Sequence, residues 1–321
     1  MKTLRPSLVL KYLVTVAIAI VFSSDLTLGQ SQINSGNSSR TPGRPVTIPL
    51  TIRIKEAQPE PELQGIDLVV SEDGETQSII SIRGREPSFP ISLAILIQDD
   101  LVSSISNEIK PLANFVRELP KGSRVMIGYL RTGSIQVRQK FTADLEKAAK
   151  ALRPPVGFAS AAPYNPYVEV IEGLKRFDSQ PLGRRAILLI SDGLDVSHGI
   201  DSSTPSQSVD LQRAINEAQK RSVAVYGFYA PTIGSQGNLI LVGNAQSSLQ
   251  KLATETGGHA FFQGTGAPVS FNPFLTELNE SLERQAALTF LSTHLNKGFH
   301  RVEVKSSTPG VKVAFPTGYT R

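Results

Sequence analysis

Cysteine and tryptophan are both absent from this chain of 321 residues, and methionine occurs only twice. The lack of cysteine excludes disulfides, thiolate zinc sites, iron–sulfur clusters and cysteine nucleophiles, so stability has to come from packing. Catalytic signatures are missing as well: there is no G-x-S-x-G elbow, no H-E-x-x-H pair and no phosphate-binding G-x-x-x-x-G-K-[ST] loop. Gly264-Thr265-Gly266 lacks the third glycine of a dinucleotide site, and His198, His259, His294 and His300 show no ligand spacing. Aromatic residues make up 7% of the chain and the basic residues form no basic–aromatic ladder, which argues against nucleic acid as a partner. No apolar run reaches the roughly 20 residues that a membrane span needs.

What is present divides the chain into segments. Lys2, Arg5 and Lys11 precede an apolar run from Tyr12 to Phe22, and Thr27 and Gly29 suit the −3 and −1 positions of a cleavage site. This predicts a signal peptide over 1–29 and an exported protein, periplasmic, envelope-bound or secreted, with no stable span after cleavage. An uncleaved anchor is the alternative. Removing Lys2, Arg5, Lys11 and Asp25 lowers the formal charge from +5 to +3. Residues 30–45 are Ser, Asn, Gly, Thr, Pro and Arg, a composition that cannot bury enough apolar surface to order itself, and read as a linker.

Residues 46–87 read as an N-terminal β segment, with Glu72-Asp73-Gly74 as the turn of a hairpin. Residues 88–286 alternate strands and helices, the signature of βαβ units. Ile91–Gln98, Arg124–Leu130, Ala186–Ile190, Val223–Tyr229 and His259–Phe262 read as buried strands, Ile135–Lys140 as an antiparallel return, and Leu249–Thr256 as a helix capped by Ser247 or Ser248. The expected fold class is α/β, a Rossmann-like, doubly wound, mostly parallel sheet with one antiparallel edge strand. Residues 287–321 return to β and are expected to pack with the N-terminal segment as a small β module.

Two strands close on acids: Ile91–Gln98 on Asp99-Asp100, and Ala186–Ile190 on Ser191-Asp192-Gly193. Ligands of open α/β sheets bind at the carboxyl ends of strands, so these acids are well sited to hold a cation or a partner. Four long connections, 156–166, 193–206, 230–246 and 263–272, should gather at that same rim. Phe158, Tyr164, Tyr167 and Tyr229 would give it aromatic contact area, and Asp195 and His198 polar contacts, making the rim a candidate protein-binding surface.

Ile95 to Asp100 with Ser103-Ser104, then Ile190-Ser191-Asp192-Gly193, then Leu252 to Gly258 before a strand, together resemble a von Willebrand factor type A domain. Val70 to Gln77 and Gly318-Tyr319 resemble the exported bacterial subgroup common in acidobacteria. The resemblance implies a metal-ion-dependent adhesion site at the carboxyl rim, where a D-x-S-x-S loop, a threonine and a further aspartate bind Mg²⁺ or another divalent cation, partly through water. Asp99, Asp100, Ser103, Ser104, Ser160 and Asp192 are the corresponding candidates here. The set is degenerate: Leu101 or Val102 stands at one serine position in either register, and Ser160 is the only hydroxyl available for the threonine.

The function implied is an exported, non-enzymatic interaction or adhesion module, with Mg²⁺ as its one candidate cofactor and an unidentified protein as partner. Two alternatives stay open, a hydrolase-type enzyme using the acidic rim and a structural protein of the cell envelope.

Overall fold

The computed structural model describes residues 43–54, 67–84, 86, 88–235 and 237–321. The expected signal, 1–29, lies outside the described residues, as does all but the end of the expected linker. That end corrects the linker's boundary, because Arg44 and Pro45 already belong to a strand.

The chain enters through β1 (Arg44–Ile54) and a hairpin of β2 (Leu68–Glu72) and β3 (Glu75–Arg83). Asp73 and Gly74 make the two-residue turn with φ of 49° and 89°, the left-handed pair that a tight hairpin demands. The central portion then runs β4 (Ser92–Gln98), α1 (Ile109–Glu118), β5 (Arg124–Arg131), β6 (Ser134–Thr142), α2 (Leu145–Ala151) and α3 (Pro166–Lys175). It continues through β7 (Arg185–Ser191), α4 (Val209–Lys220), β8 (Ala224–Tyr229), α5 (Leu239–Glu255), β9 (Ala260–Phe261) and α6 (Asn272–Glu283). The chain closes with β10 (Gln285–Ser292), β11 (Phe299–Ser306), β12 (Val311–Ala314) and β13 (Gly318–Thr320).

Six strands form one sheet in the order β6-β5-β4-β7-β8-β9, parallel except for the edge strand β6. This is a doubly wound arrangement, and its order reverses between β4 and β7, where the connections diverge and leave a crevice. All seven residues of β4 and of β7 are buried, which explains their unalternating apolar runs. Leu93, Ile95 and Ile97 face the core beneath α1, α2 and α6, while Ala94 and Leu96 face the core beneath α3, α4 and α5.

The other seven strands form an antiparallel sheet, β12-β1-β10-β3-β2-β11-β13, with its own core around Ile48, Leu50, Leu288, Phe290 and Val302. Strands from both ends of the described chain interleave in it, β10 lying between β1 and β3. The expectation of a small β module is therefore corrected: this sheet has more strands than the doubly wound one, and the mostly parallel description holds for the six-stranded sheet alone. The return to β also begins at Gln285 rather than 287. Thr51 Oγ1 lies 3.4 Å from the Tyr226 hydroxyl, and Arg184 donates to the carbonyls of Phe89 and Leu282.

A further correction concerns α5. The helix expected from Leu249 begins ten residues earlier, because Asn238 caps it by accepting from the N–H groups of Ile240 and Leu241. Ser248 is consequently buried inside a helix rather than capping one, and the long connection before it is correspondingly shorter.

Candidate functional site

The acids that end β4 and β7 lie side by side at the switch point, since Ile97 pairs with Ile190 across the two strands. Gln98, the last residue of β4, ties them together. Its Oε1 accepts from Ser191 Oγ (2.6 Å) and Asp192 N (3.2 Å), and its Nε2 donates to Asp100 Oδ1 (2.9 Å). A buried amide with these three bonds fixes two acidic loops to one another.

Asp99 is fully buried, and its carboxylate is held by two arginines. Arg153 donates bidentately, Nη1 to Oδ1 at 2.7 Å and Nη2 to Oδ2 at 2.8 Å, and Arg131 Nε lies 3.0 Å from Oδ2. Val156 N is a second donor to Oδ1, at 3.1 Å. Tyr129 positions Arg153: the guanidinium carbon lies 3.9 Å from the ring centroid, and the phenol hydroxyl bonds Arg153 O (2.6 Å) and Arg153 N (2.7 Å). The hydrogen bond to Asp99 raises the pKa of Arg153 above its usual range, keeping the guanidinium charged.

Asp192 occupies the neighbouring position. Oδ1 accepts from Leu194 N (3.2 Å) and Oδ2 from Thr232 Oγ1 (3.0 Å), while Ser235 lies 3.1 Å from the Thr232 hydroxyl. Burial, and secondarily the charge of Asp100, push Asp192 up to about 7. Asp100 is likewise raised, by burial first and by Asp99 last. The β4 loop crosses over Asp192 to reach the β8 loop, through Val102 N to Pro231 O at 3.1 Å and a bridge between Leu101 and Thr232.

The remaining candidates are dispersed. Ser103 and Ser104 are exposed in a 3₁₀ turn, and Ser160 is exposed with its carbonyl accepting from Thr132. Phe158, Tyr164 and His198 are exposed on the rim. Tyr167 and Tyr229 are corrected as rim contacts: both are fully buried, and the Tyr167 hydroxyl donates to Gly193 O at 2.6 Å. Asp195 is corrected too, since it is buried and accepts from Ser197 Oγ and Ser208 Oγ, each at 2.6 Å. Arg131, Arg153, Gln98 and Thr232 were not legible as site residues, although a glutamine ending the apolar run Leu93–Ile97 was a usable signal.

A hard octahedral cation needs several free oxygen ligands at about 2.1 Å. Both oxygens of Asp99 face guanidinium or amide donors, both of Asp192 accept from the protein, and the two serines lie out on the surface. Among the described residues no group of three or more His, Asp or Glu side chains is arranged to hold a metal ion. The residues therefore do not fit the Mg²⁺ site that the resemblance implied.

A doubly wound sheet with one antiparallel edge and acids at its switch point sets the class: the six-stranded part is a Rossmann-like α/β sheet. No protein-family model matches the sequence, and no curated protein matches it. Solved structures similar to the chain include a von Willebrand factor type A protein from Catenulispora acidiphila, at 13% identity and TM-score 0.41, covering 87% of this chain and 74% of that one. Another is an aerotolerance-related membrane protein from Bacteroides fragilis, at 15% identity and TM-score 0.42, covering 60% and 98% respectively. A third is the conserved hypothetical protein BatB from Bacteroides thetaiotaomicron, at 13% identity and TM-score 0.40, covering 60% and 97%. These likenesses are distant.

Proposed function

We propose that the chain is an exported, non-enzymatic interaction module that docks a protein partner on the rim at the carboxyl ends of the six-stranded sheet. The observation that carries this reading is a band of exposed apolar side chains on loops that are fixed to one another. Phe158 is 69% exposed, Ile233 73% and Val269 90%, with Tyr164, Ile200 and Ile240 exposed beside them. Val196 N donates to Tyr164 O, joining two of the loops, and Asn244 and Gln246 of α5 donate to Ser203 and to Gly264 O, tying the loops after β7 and β9 to that helix. Apolar side chains spread over a rigid rim favour partner docking, since they lose their contact with water only when something covers them.

Asp100 and Asp192, both raised by burial, are already bonded to neighbouring protein groups, which favours docking over hydrolysis at this rim. Among the described residues no helix is long and apolar enough to cross a membrane. Export rests on the basic residues and apolar run before Gln30. One purification from source cells tests both parts. The recovered chain should begin at Gln30 and carry a bound protein that Phe158→Asp with Ile233→Asp releases, while Leu182→Asp, at the opposite end of the sheet, retains it. A chain beginning at Met1 and recovered from the cytosol contradicts export, and retention by the double variant contradicts the rim.

A further inference from the structure

We propose that the guanidinium of Arg153, backed by that of Arg131, is the resident cation of this rim, so that docking requires no divalent ion. The second half rests on the interaction reading above; the first stands on geometry alone. Two guanidinium groups bring the same formal charge of +2 that a divalent ion would bring, and they bring it on covalently attached side chains. They also meet Asp99 in the form that suits a carboxylate, one pair of parallel N–H bonds at 2.7 and 2.8 Å and a further contact at 3.0 Å.

The surroundings are built around that occupant. Arg153 is clasped by the Tyr129 hydroxyl and lies against its ring, while Nη1 also donates to Pro154 O (2.8 Å) and Nη2 to Gln136 Oε1 (3.3 Å). The chain just beyond it closes over Asp99 from above, through Val156 N to Oδ1 and Gly157 N to the Asp99 carbonyl at 3.0 Å. An ion entering from solution would have to expel Arg153 and break this loop, and would meet two positive charges on its way. Asp192 is already engaged as well, with Leu194 N and Thr232 Oγ1 each bonded to one of its oxygens.

The test is Mn²⁺ binding to the full chain, followed by the paramagnetic signal of the free ion and by melting temperature with and without a chelator. Wild type and Asp99→Asn should bind Mn²⁺ indistinguishably, and EDTA should leave wild-type melting unchanged. Arg153→Ala, which uncovers the buried carboxylate, should become cation-dependent, its melting temperature rising with Mn²⁺. Mn²⁺ binding by wild type that Asp99→Asn or Asp192→Asn abolishes would overturn the proposal, as would a folded Arg153→Ala chain indifferent to Mn²⁺. No partner enters this experiment, so failure of the docking reading would leave its outcome unchanged.

Discussion

Asp192 carries a free-energy consequence that can be measured without knowing the partner. Its pKa in the folded chain is about 7, against an ordinary value of 3.8, because burial disfavours the carboxylate. Between those values the folded chain binds a proton that the unfolded chain has released, so this residue's contribution to stability falls as pH rises from 4 to 7. Asp192→Asn removes the titration and keeps an oxygen for Leu194 N. The variant should gain up to roughly 4 kcal/mol relative to wild type at pH 8, and the gain should vanish near pH 4, in urea unfolding at the two pH values. At this scale the acids were legible and their partners were not. Asp99 and Asp192 announce themselves as polar residues at the ends of apolar strands. Arg131 and Arg153 lie 32 and 54 positions beyond Asp99, and no local pattern encodes a pairing across that distance. The same holds for Tyr167 and Tyr229, which look like surface aromatics in a loop-rich sequence but pack inward once the helices are placed.

Among the elements, the buried strands read directly from the sequence, since a run of branched residues has one good solution. In α4 the buried Leu211, Ala214, Ile215 and Ala218 recur at helical spacing, and Ser208 caps the helix. The start of α5 was hidden because Asn238 sits in a Gly- and Ser-rich stretch that also reads as loop, and Ser247-Ser248 offered a competing cap. Strand β13 has no signature of its own within the C-terminal β segment: three residues are too few to show alternation, and its place is set by the neighbours it meets. Those neighbours form a clasp. Glu72 is fully buried and bonded to the Tyr319 hydroxyl at 2.5 Å, and His294 Nδ1 lies 3.3 Å from its other oxygen. His300 Nδ1 meets Asp73 Oδ2 at 2.8 Å.

Burial opposes the charged form of His300, but the bonds to Asn296 O and Asp73 outweigh it and raise the ring's pKa above 6.5. Burial likewise works against the Asp73 carboxylate, and the bonds from His300 and Arg301 N overcome it, so its pKa is lowered below 3.8. The His300 contribution is therefore complete below pH 6.5 and is lost as pH rises through the raised value. The Asp73 contribution is present above 3.8 and is lost as pH falls through the lowered one. Amide protection in β13 and in the β2–β3 turn should thus decline, relative to β4 and β7, as pH rises from 6.5 through the raised His300 value. His300→Asn should flatten that decline, and protection that stays constant across the range in wild type would contradict the clasp.

For the molecule as a whole, the two sheets divide the work. The six-stranded sheet sets the acids and loops of the rim, and the antiparallel sheet interleaves both ends of the described chain and ties the hairpin to β11 and β13. The α/β character and the carboxyl-end rim followed from alternating strands and helices. The size of the second sheet did not, because strand pairing between segments more than 200 residues apart leaves no mark on local sequence. The central claim is that partner and chain meet on the rim without a divalent ion. Its most direct test is photo-crosslinking in the source cells from a benzophenone side chain placed at Phe158 or Ile233, repeated with EDTA, with Leu182 as the control position. The account predicts the same protein adduct from both rim positions, undiminished by EDTA, and none from Leu182. Equal labelling from Leu182, or an adduct that EDTA abolishes, would contradict it.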